Sequence, residues 1–163
     1  MENLKDKYFE LVEPVLKDLE QFALHITRNR DISRDIVNDT IIEGLSSFSN
    51  INQNGSFKSY MFTIVKRMYY DYIKKNRKVI FSEPQQFDEL YCRQISQDDL
   101  ADLNLLYDAM DKLKPELKET FVLSEIMGFK DSEIANIQQT TVSNVKIRMF
   151  RARKKLKKLL LIK

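Results

Sequence analysis

Apolar residues recur at spacings of three and four along most of the chain, which is the spacing of one helical face. Over residues 1–29 this pattern predicts an amphipathic helix that is interrupted by or begins at Pro14, since proline fits best in a first turn. A second helix is predicted from an N-cap at Asp31 or Ser33 to about Phe48. The apolar positions of the first helix are Phe9, Val12, Leu16, Leu19, Phe22, Ala23 and Ile26, and those of the second are Ile36, Val37, Ile41, Ile42 and Leu45.

The polar stretch 49–56 contains Gly55 and predicts a loop. A third long helix is predicted from Phe57 to about Arg77. Its apolar stripe consists of Tyr60, Ile64, Met68 and Tyr72.

The second half of the chain begins with a predicted linker. Residues 79–103 lack clear periodicity, and a short helix is expected to start near Asp99. Periodicity then returns, and Pro115 suits a first helical turn in a helix that ends at Gly128. A short helix over 131–138, a three-residue break and a last helix over 142–160 complete the prediction.

Composition agrees with an all-α fold. Only three glycines and three prolines occur in 163 residues, while 43% of the chain is hydrophobic and 31% is charged. No stretch of eighteen apolar residues exists, and the first ten residues are too charged for a secretory signal, so we expect a cytoplasmic protein without a membrane segment. One cysteine, Cys92, and one histidine, His25, argue against a disulfide, a metal site, a cofactor and hydrolase chemistry.

Charge is distributed unevenly around the net value of +3. Residues 1–103 carry 14 Lys and Arg against 17 Asp and Glu, whereas residues 104–163 carry 13 against 7. Residues 66–78 hold six cations and one acid, and residues 82–104 hold six acids and one cation. This order is typical of two binding modules joined by an acidic connector.

The last two predicted helices form the pattern of a helix-turn-helix, whose second helix suits the DNA major groove. We expect Ile134, Ala135, Val142, Val145 and Met149 to pack the pair together. Thr141 is a candidate N-cap, a contact worth ~1 kcal/mol. Eight of the thirteen residues 146–158 are Lys or Arg and none is acidic. This run is too long to be explained by the helix dipole, so phosphate binding is favoured over a merely solvated face.

A second candidate surface lies at 57–72, where six of sixteen residues are aromatic and basic residues are interleaved. Rings that stack on bases and cations that meet phosphates are typical of proteins that bind single-stranded nucleic acid. Burial of the rings in a helical core explains the same aromatics equally well.

Three segments in series resemble the sigma-70 family of bacterial RNA polymerase sigma factors, specifically the short extracytoplasmic-function (ECF) group. DISRDIVNDTIIEGLSSF (31–48) resembles the family's polymerase-binding helix. GSFKSYMFTIVKRMYYDYIKKNRK (55–78) resembles the segment that reads and melts the minus-ten element. Residues 113–156 align without gaps to the final helix-turn-helix module.

The resemblance implies a role for particular residues. The polymerase clamp would be met by Asp35, Ile36, Val37, Asn38, Asp39 and Thr40. A flipped minus-ten base would be captured by Asn52, Asn54, Gly55 and Ser56, and the element would be read and opened by Lys66, Arg67, Asp71, Lys74 and Lys75. The minus-thirty-five element would be bound by Thr141, Ser143, Asn144, Lys146, Arg148, Arg151 and Arg153.

The chain departs from the family's usual residues at four positions. Tyr60 stands in place of the usual tryptophan, and Lys130 in place of a capping serine, which leaves Asp131 as the candidate cap. In the helix-turn-helix, Gln139 replaces the turn glycine and Thr141 the common proline, which predicts a less stable turn.

The sequence therefore predicts two helical modules: residues 1–80, like sigma region 2, and residues 104–163, like region 4, joined by an acidic linker at 81–103. The expected function is promoter-directed initiation and DNA melting with core RNA polymerase, without catalysis. The expected partners are that polymerase, duplex and melted promoter DNA, and an anti-sigma factor. A stand-alone helix-turn-helix regulator and a helical adaptor with an acidic partner are the alternatives. DNA binding by the protein without polymerase would favour the regulator. Little DNA affinity even at low salt would favour the adaptor.

Overall fold

A computed structural model describes residues 2–50, 56–76 and 96–161. Within these ranges the chain is helical and contains no β-strand, which confirms the all-α prediction. The helices are α1 (Glu2–Thr27), α2 (Arg30–Ser47), α3 (Phe57–Lys75), α4 (Gln97–Asp111), α5 (Pro115–Phe121), α6 (Asp131–Gln138) and α7 (Val142–Leu161). The chain divides into two compact units, residues 1–77 with 136–139, and residues 78–135 with 140–163.

Helix α1 runs without interruption through Pro14, so the predicted break or start at this residue is wrong. Proline removes one helical hydrogen bond, but its ring lies on the exposed side of α1. Buried side chains lie on both sides of it, from Tyr8 and Val12 to Leu19 and Phe22. Burial of this stripe holds the two halves of the helix in one line against the rest of the unit.

The end of α1 leads directly into α2. Arg28 is buried and adopts a left-handed φ of +54°, and Asn29 then caps α2 by accepting a hydrogen bond from the Ile32 N–H at 3.0 Å. The predicted caps, Asp31 and Ser33, instead lie inside the helix. A single 3₁₀ turn, Phe48–Asn50, follows α2, in agreement with its predicted end.

The core of the N-terminal helices differs from the predicted stripes at two exposed side chains. Phe9 is 43% exposed and its neighbour Tyr8 is fully buried, while Ile42 is 67% exposed. On α2 the small residues Thr40 and Gly44 are buried in addition to Ile36 and Val37. A Cβ at Gly44 would collide with the Tyr8 hydroxyl, so glycine here permits the close approach of α1 to α2.

Helix α3 begins at the predicted residue. Ser56 caps it by accepting a hydrogen bond from the Ser59 N–H at 3.3 Å. The buried residues are Met61, Phe62, Ile64, Val65 and Tyr69. The buried face of α3 therefore differs from the predicted stripe, since Tyr60, Met68 and Tyr72 are only partly buried.

In the C-terminal unit, α4 is capped by Ser96 and begins two residues before the predicted Asp99. Pro115 occupies the first turn of α5, and Gly128 ends the helical segment with φ +72°, as predicted. Between them α5 continues through a π-helical turn, Val122–Ile126. The Lys118 ammonium lies buried and pairs with Asp111 at 2.6 Å, which joins α5 to α4.

Helices α6 and α7 and the three residues between them form the predicted helix-turn-helix. Ile134, Ala135, Val145 and Met149 are buried as expected, but Val142 is 39% exposed. The predicted linker falls largely on residues outside the described ranges, as do Gly55 and Cys92.

Candidate nucleic-acid interface

The basic run of α7 lies on the protein surface. Val145, Met149, Ala152 and Leu156 form the buried side of the helix. Apart from Arg148, which is half-buried, the cations between 146 and 158 are exposed. Seven exposed cations on one helix without a neighbouring acid on that helix create a positive field that suits a polyanion.

Two threonine side chains accept hydrogen bonds at the N-terminus of α7. Thr141 Oγ1 accepts a hydrogen bond from the Asn144 N–H at 3.1 Å, which confirms the predicted cap. The Asn144 side-chain amide donates to Thr140 Oγ1 at 2.9 Å. Thr141, Ser143 and Asn144 are all exposed, so the residues predicted for this end of the helix share the surface with Lys146.

Among the predicted α7 contacts, Arg153 has a carboxylate partner on another helical segment. Its guanidinium forms an ion pair with Glu125, which belongs to the π-helical turn of α5. An exposed ion pair of this kind stabilises a protein by roughly 0–1 kcal/mol. The pair therefore orients Arg153 more than it holds the unit together.

Four predicted minus-ten cations and one acid, Asp71, lie along α3. Arg67, Asp71, Lys74 and Lys75 are exposed, and Lys66 is half-buried. Arg67 pairs with Glu43 of α2. Three further residues of the predicted minus-ten set, Asn52, Asn54 and Gly55, lie outside the described residues.

The aromatic residues of α3 divide between the two readings of the sequence. Phe62 and Tyr69 are buried in the core, whereas Phe57, Tyr60, Tyr70 and Tyr72 are partly exposed. The Lys66 ammonium lies 6.0 Å from the centre of the Tyr70 ring, a distance at which a cation–π attraction operates.

Tyr60, at the position where the family usually has tryptophan, packs at a tilt against Phe57, whose contacts with Tyr8 and Phe48 are edge-to-face. Phe57 contacts Tyr60, Tyr8 and Phe48 with ring centres 5.8–6.2 Å apart. The Tyr60 hydroxyl shares a hydrogen bond with Ser47 Oγ. These contacts give Tyr60 a role in packing α3 against α2.

The predicted polymerase-binding residues of α2 separate by helical face. Asp35, Asn38 and Asp39 are exposed, while Ile36, Val37 and Thr40 are buried. The Thr40 hydroxyl donates to the Ile36 carbonyl at 2.7 Å. Ile42 shares the exposed face, because it lies three and four residues beyond Asp39 and Asn38.

Two ionisable side chains of the N-terminal unit have shifted pKa values. Burial lowers the pKa of His25 below its ordinary value of 6.5. Burial, with a smaller contribution from Tyr60, raises the pKa of Tyr8 to about 12. The Tyr8 hydroxyl donates a 2.7 Å hydrogen bond to the Ile41 carbonyl, so this side chain contributes to the packing of α1 against α2.

Sequence reasoning overlooked Phe150. This residue is 67% exposed on α7, beside Ile147 at 46%. The signal was present in the sequence, because positions 147 and 150 lie opposite the helical stripe of Val145, Met149 and Ala152.

No group of three potential metal-ligating side chains occurs among the residues described. None of the described helices is long and apolar enough to cross a membrane. The exposed chemistry of the described residues is dominated by the cations of α7 and of α3.

Comparison with known families agrees with this chemistry. The model named Sigma-70 region 2 matches residues 11–79, and the model named Sigma-70, region 4 matches residues 103–156. The fold and the two basic helices thus define a promoter-specificity factor of RNA polymerase. The chain belongs to the sigma-70 family, in its ECF group.

Curated relatives extend over most of the chain. The ECF RNA polymerase sigma factor EcfG of Rhodopseudomonas palustris is 26% identical, with 98% of this chain and 88% of the relative covered. The RNA polymerase sigma factor SigV of Bacillus subtilis is 27% identical, with 85% and 81% covered.

Two solved structures share the fold. One is the sigma factor RpoE in complex with the anti-sigma factor NepR from Bartonella quintana, with a TM-score of 0.69 and 24% identity over 99% of both chains. The other is CnrH in complex with the cytosolic domain of CnrY, with a TM-score of 0.70 and 22% identity. That likeness covers 96% of this chain and 88% of CnrH.

Proposed function

We propose that this sigma factor grips the minus-thirty-five element with α7 and opens the minus-ten element with α3 while bound to core RNA polymerase. The observation that supports it best is the exposed basic surface of α7 at the second helix of a helix-turn-helix. Helices in this position enter the major groove with their N-terminal residues.

The minus-thirty-five contacts are proposed for Thr141, Ser143, Asn144, Lys146, Arg148, Arg151 and Arg153. Exposed cations spaced along α7 can follow the phosphates, and the capped first turn presents polar side chains to base edges. Each phosphate neutralised would steepen the salt dependence of binding by a slope of about 0.9.

The melting role is proposed for α3 and the segment before it. Lys74 and Lys75 are exposed at the end of α3, and Tyr70 and Tyr72 are partly exposed near them. Cations with accessible rings favour an opened strand, whose bases can stack and whose phosphates need neutralisation. Asn52, Asn54, Gly55 and Ser56 are proposed to capture the flipped base, and Lys66, Arg67 and Asp71 to assist.

Polymerase docking is proposed for the exposed face of α2. Asp35, Asn38 and Asp39 offer carboxylates and an amide around the exposed Ile42. An apolar side chain ringed by polar groups is the arrangement found at the centre of protein interfaces. Ile36, Val37 and Thr40 would support this face from within the core.

Domain boundaries follow from these roles. Residues 1–80 are proposed to bind polymerase and the minus-ten element, 81–103 to connect, and 104–163 to bind the minus-thirty-five element. We further propose a cytoplasmic protein that performs no catalysis. An anti-sigma partner is proposed because both solved relatives were captured with a second protein, named as the anti-sigma factor NepR in one case.

A run-off assay with core polymerase and a library of promoter sequences tests the proposed function. The full chain is expected to produce new start sites that depend on two separated sequence elements. Absence of new starts, with tight duplex binding by the chain alone, would favour a polymerase-independent regulator. Neither starts nor DNA binding at low salt would favour the adaptor alternative.

A further inference from the structure

The exposed side of α7 carries two large apolar side chains among its cations. Ile147 is 46% exposed and Phe150 is 67% exposed. They lie three residues apart, so their side chains are neighbours on the helix surface. Both point away from the buried side formed by Val145, Met149 and Ala152.

Packing within the C-terminal unit does not account for these residues. An isolated exposed apolar side chain is ordinary on a soluble protein. Two adjacent ones, on the helix face directly opposite the core, form a small apolar surface instead. Lys146, Arg151 and Lys154 surround it, and all three are exposed.

The cations around Ile147 and Phe150 indicate which kind of partner binds this apolar surface. A positive rim around an apolar centre is complementary to a polyanion that carries apolar groups of its own. Duplex DNA has this combination in the major groove, where phosphates border the C5-methyl groups of thymine. Ile147 and Phe150 lie in the first half of α7, the part of a recognition helix that reaches base edges.

We infer that Ile147 and Phe150 are specificity-determining residues that read thymine methyl groups in the minus-thirty-five element. This inference rests on the proposed function. It adds a sequence requirement that phosphate contacts by the neighbouring cations cannot supply, because phosphates carry no base identity. The element selected by this protein therefore contains thymine opposite these two side chains.

Deoxyuridine substitution tests the inference, because it removes the methyl group and leaves the base pairing unchanged. Promoters are first selected with the holoenzyme, and each thymine of the minus-thirty-five element is then replaced in turn. Binding by the holoenzyme is expected to weaken about fourfold at one or two positions, the factor that corresponds to burial of one methyl-sized group. Thymines outside both elements serve as the DNA control.

Side-chain variants complete the test as a double-mutant cycle. Phe150→Ala and Ile147→Ala should each weaken binding to the thymine promoter and show a smaller loss on the matching deoxyuridine promoter. Leu161→Ala is the matched control, since Leu161 is 72% exposed on the same side of α7 but three turns later. This variant should keep the full deoxyuridine effect, and urea unfolding should be unchanged in all three.

Two results would overturn the inference while leaving the proposed function intact. One is a selected minus-thirty-five element without thymine in either strand. The other is a bound promoter on which deoxyuridine and both truncations have no effect, which would assign the apolar surface to a protein partner. Failure to select any promoter would instead contradict the proposed function itself.

Discussion

Gln139 adopts a left-handed backbone conformation, with φ +52°, in the turn between α6 and α7. This conformation is costly for a residue with a Cβ and free for glycine. Relief of the left-handed strain outweighs the greater unfolded-state entropy of glycine, so Gln139→Gly should stabilise the protein by about 0.5–1 kcal/mol. Urea unfolding measures the change. Asn136→Gly, on the exposed side of α6, is the control and should destabilise slightly, by about 0.3 kcal/mol, because glycine is a weaker helix former than asparagine. Equal losses for both variants would contradict the role of the turn.

Gly44 has the opposite requirement, because helix propensity favours alanine there and packing forbids it. A Cβ at this position would collide with the Tyr8 hydroxyl and press on Met61 Sδ at 3.0 Å. Gly44→Ala should therefore destabilise by about 1–3 kcal/mol, the usual cost of overpacking. Ser46→Ala, on the exposed side of α2, should be nearly neutral.

The Tyr8 hydroxyl provides an internal check on the Gly44 collision. In a Tyr8→Phe background the obstructing oxygen is gone, so Gly44→Ala should cost measurably less in urea unfolding. The same cost in both backgrounds would show that the clash is not its cause.

His25 is the single histidine, so one imidazole signal reports its titration by NMR. Its pKa is lowered by burial, which means that the unfolded chain binds the proton more readily than the folded one. The resulting stability is present above pH 6.5 and is lost as pH falls through the folded pKa. His25→Gln should reduce this acid loss, and a folded titration midpoint at or above 6.5 would contradict it.

Individual side chains also show where periodicity alone is insufficient. Phe9 and Tyr8 are adjacent, and both fit a helical stripe within one position. Tyr8 is buried because its hydroxyl reaches the Ile41 carbonyl and its ring meets Phe48 and Phe57. These partners lie about 33 to 49 residues away in the chain, so a local pattern could not identify them.

At the scale of elements, the start of α6 has half of a capping box. Glu133 Oε1 accepts a hydrogen bond from the Lys130 N–H at 3.2 Å, but the Lys130 side chain has no oxygen with which to accept one from the Glu133 N–H. The expected cap, Asp131, is already inside the helix. Lys130→Ser should complete the box and stabilise the C-terminal unit by about 0.5–2 kcal/mol.

Lys130→Ala is the matched control for this cap, since it removes the same ammonium without adding a hydroxyl. Thermal unfolding should separate the two variants, with serine above alanine. If alanine and serine shift the unfolding temperature alike, the gain comes from loss of the lysine and the capping argument is wrong.

Helix ends in the C-terminal unit were more predictable than helix continuity in the N-terminal one. Pro115, Gly128 and Thr141 each act through their own backbone or side chain, so their effect can be read locally. Pro14 weakens the helix locally, and whether it breaks α1 depends on how much apolar surface the flanking turns bury. That balance is a property of the assembled helices.

At the scale of the whole molecule, variants of the two proposed DNA-binding surfaces should show different transcription defects. Arg151→Ala, on α7, should reduce initiation roughly fivefold to tenfold on duplex and on pre-melted templates alike. Lys74→Ala with Lys75→Ala, on α3, should be defective on duplex promoters and largely restored when the minus-ten element is already open. Run-off transcription measures both.

Lys7→Ala removes an exposed cation from α1 and is the control for loss of charge alone. It should leave both templates unaffected. Identical defects of the α3 and α7 variants on pre-melted DNA would contradict the proposed division of labour.

The basic surface of α7 was predictable because charge and helical phase are local properties of the sequence. The exposure of Ile147 and Phe150 could have been predicted in the same way, because both lie opposite the predicted packing residues Val145 and Met149, but the apolar pair was overlooked. The ion pair between Arg153 and Glu125 depends on the π-helical turn, whose extra residue per turn leaves no periodic signal of its own.

The π-helical turn also determines where this part of the chain can tolerate the deletion of one residue. A π turn is closed by hydrogen bonds five residues apart and so contains about one residue more than a turn of regular α-helix. Residues 122–126 are therefore the stretch of α5 in which a single-residue deletion can be absorbed, by reversion to regular α-helix. Such a shortened chain would keep the helix but rotate Glu125 by about a quarter of a turn, which would release Arg153.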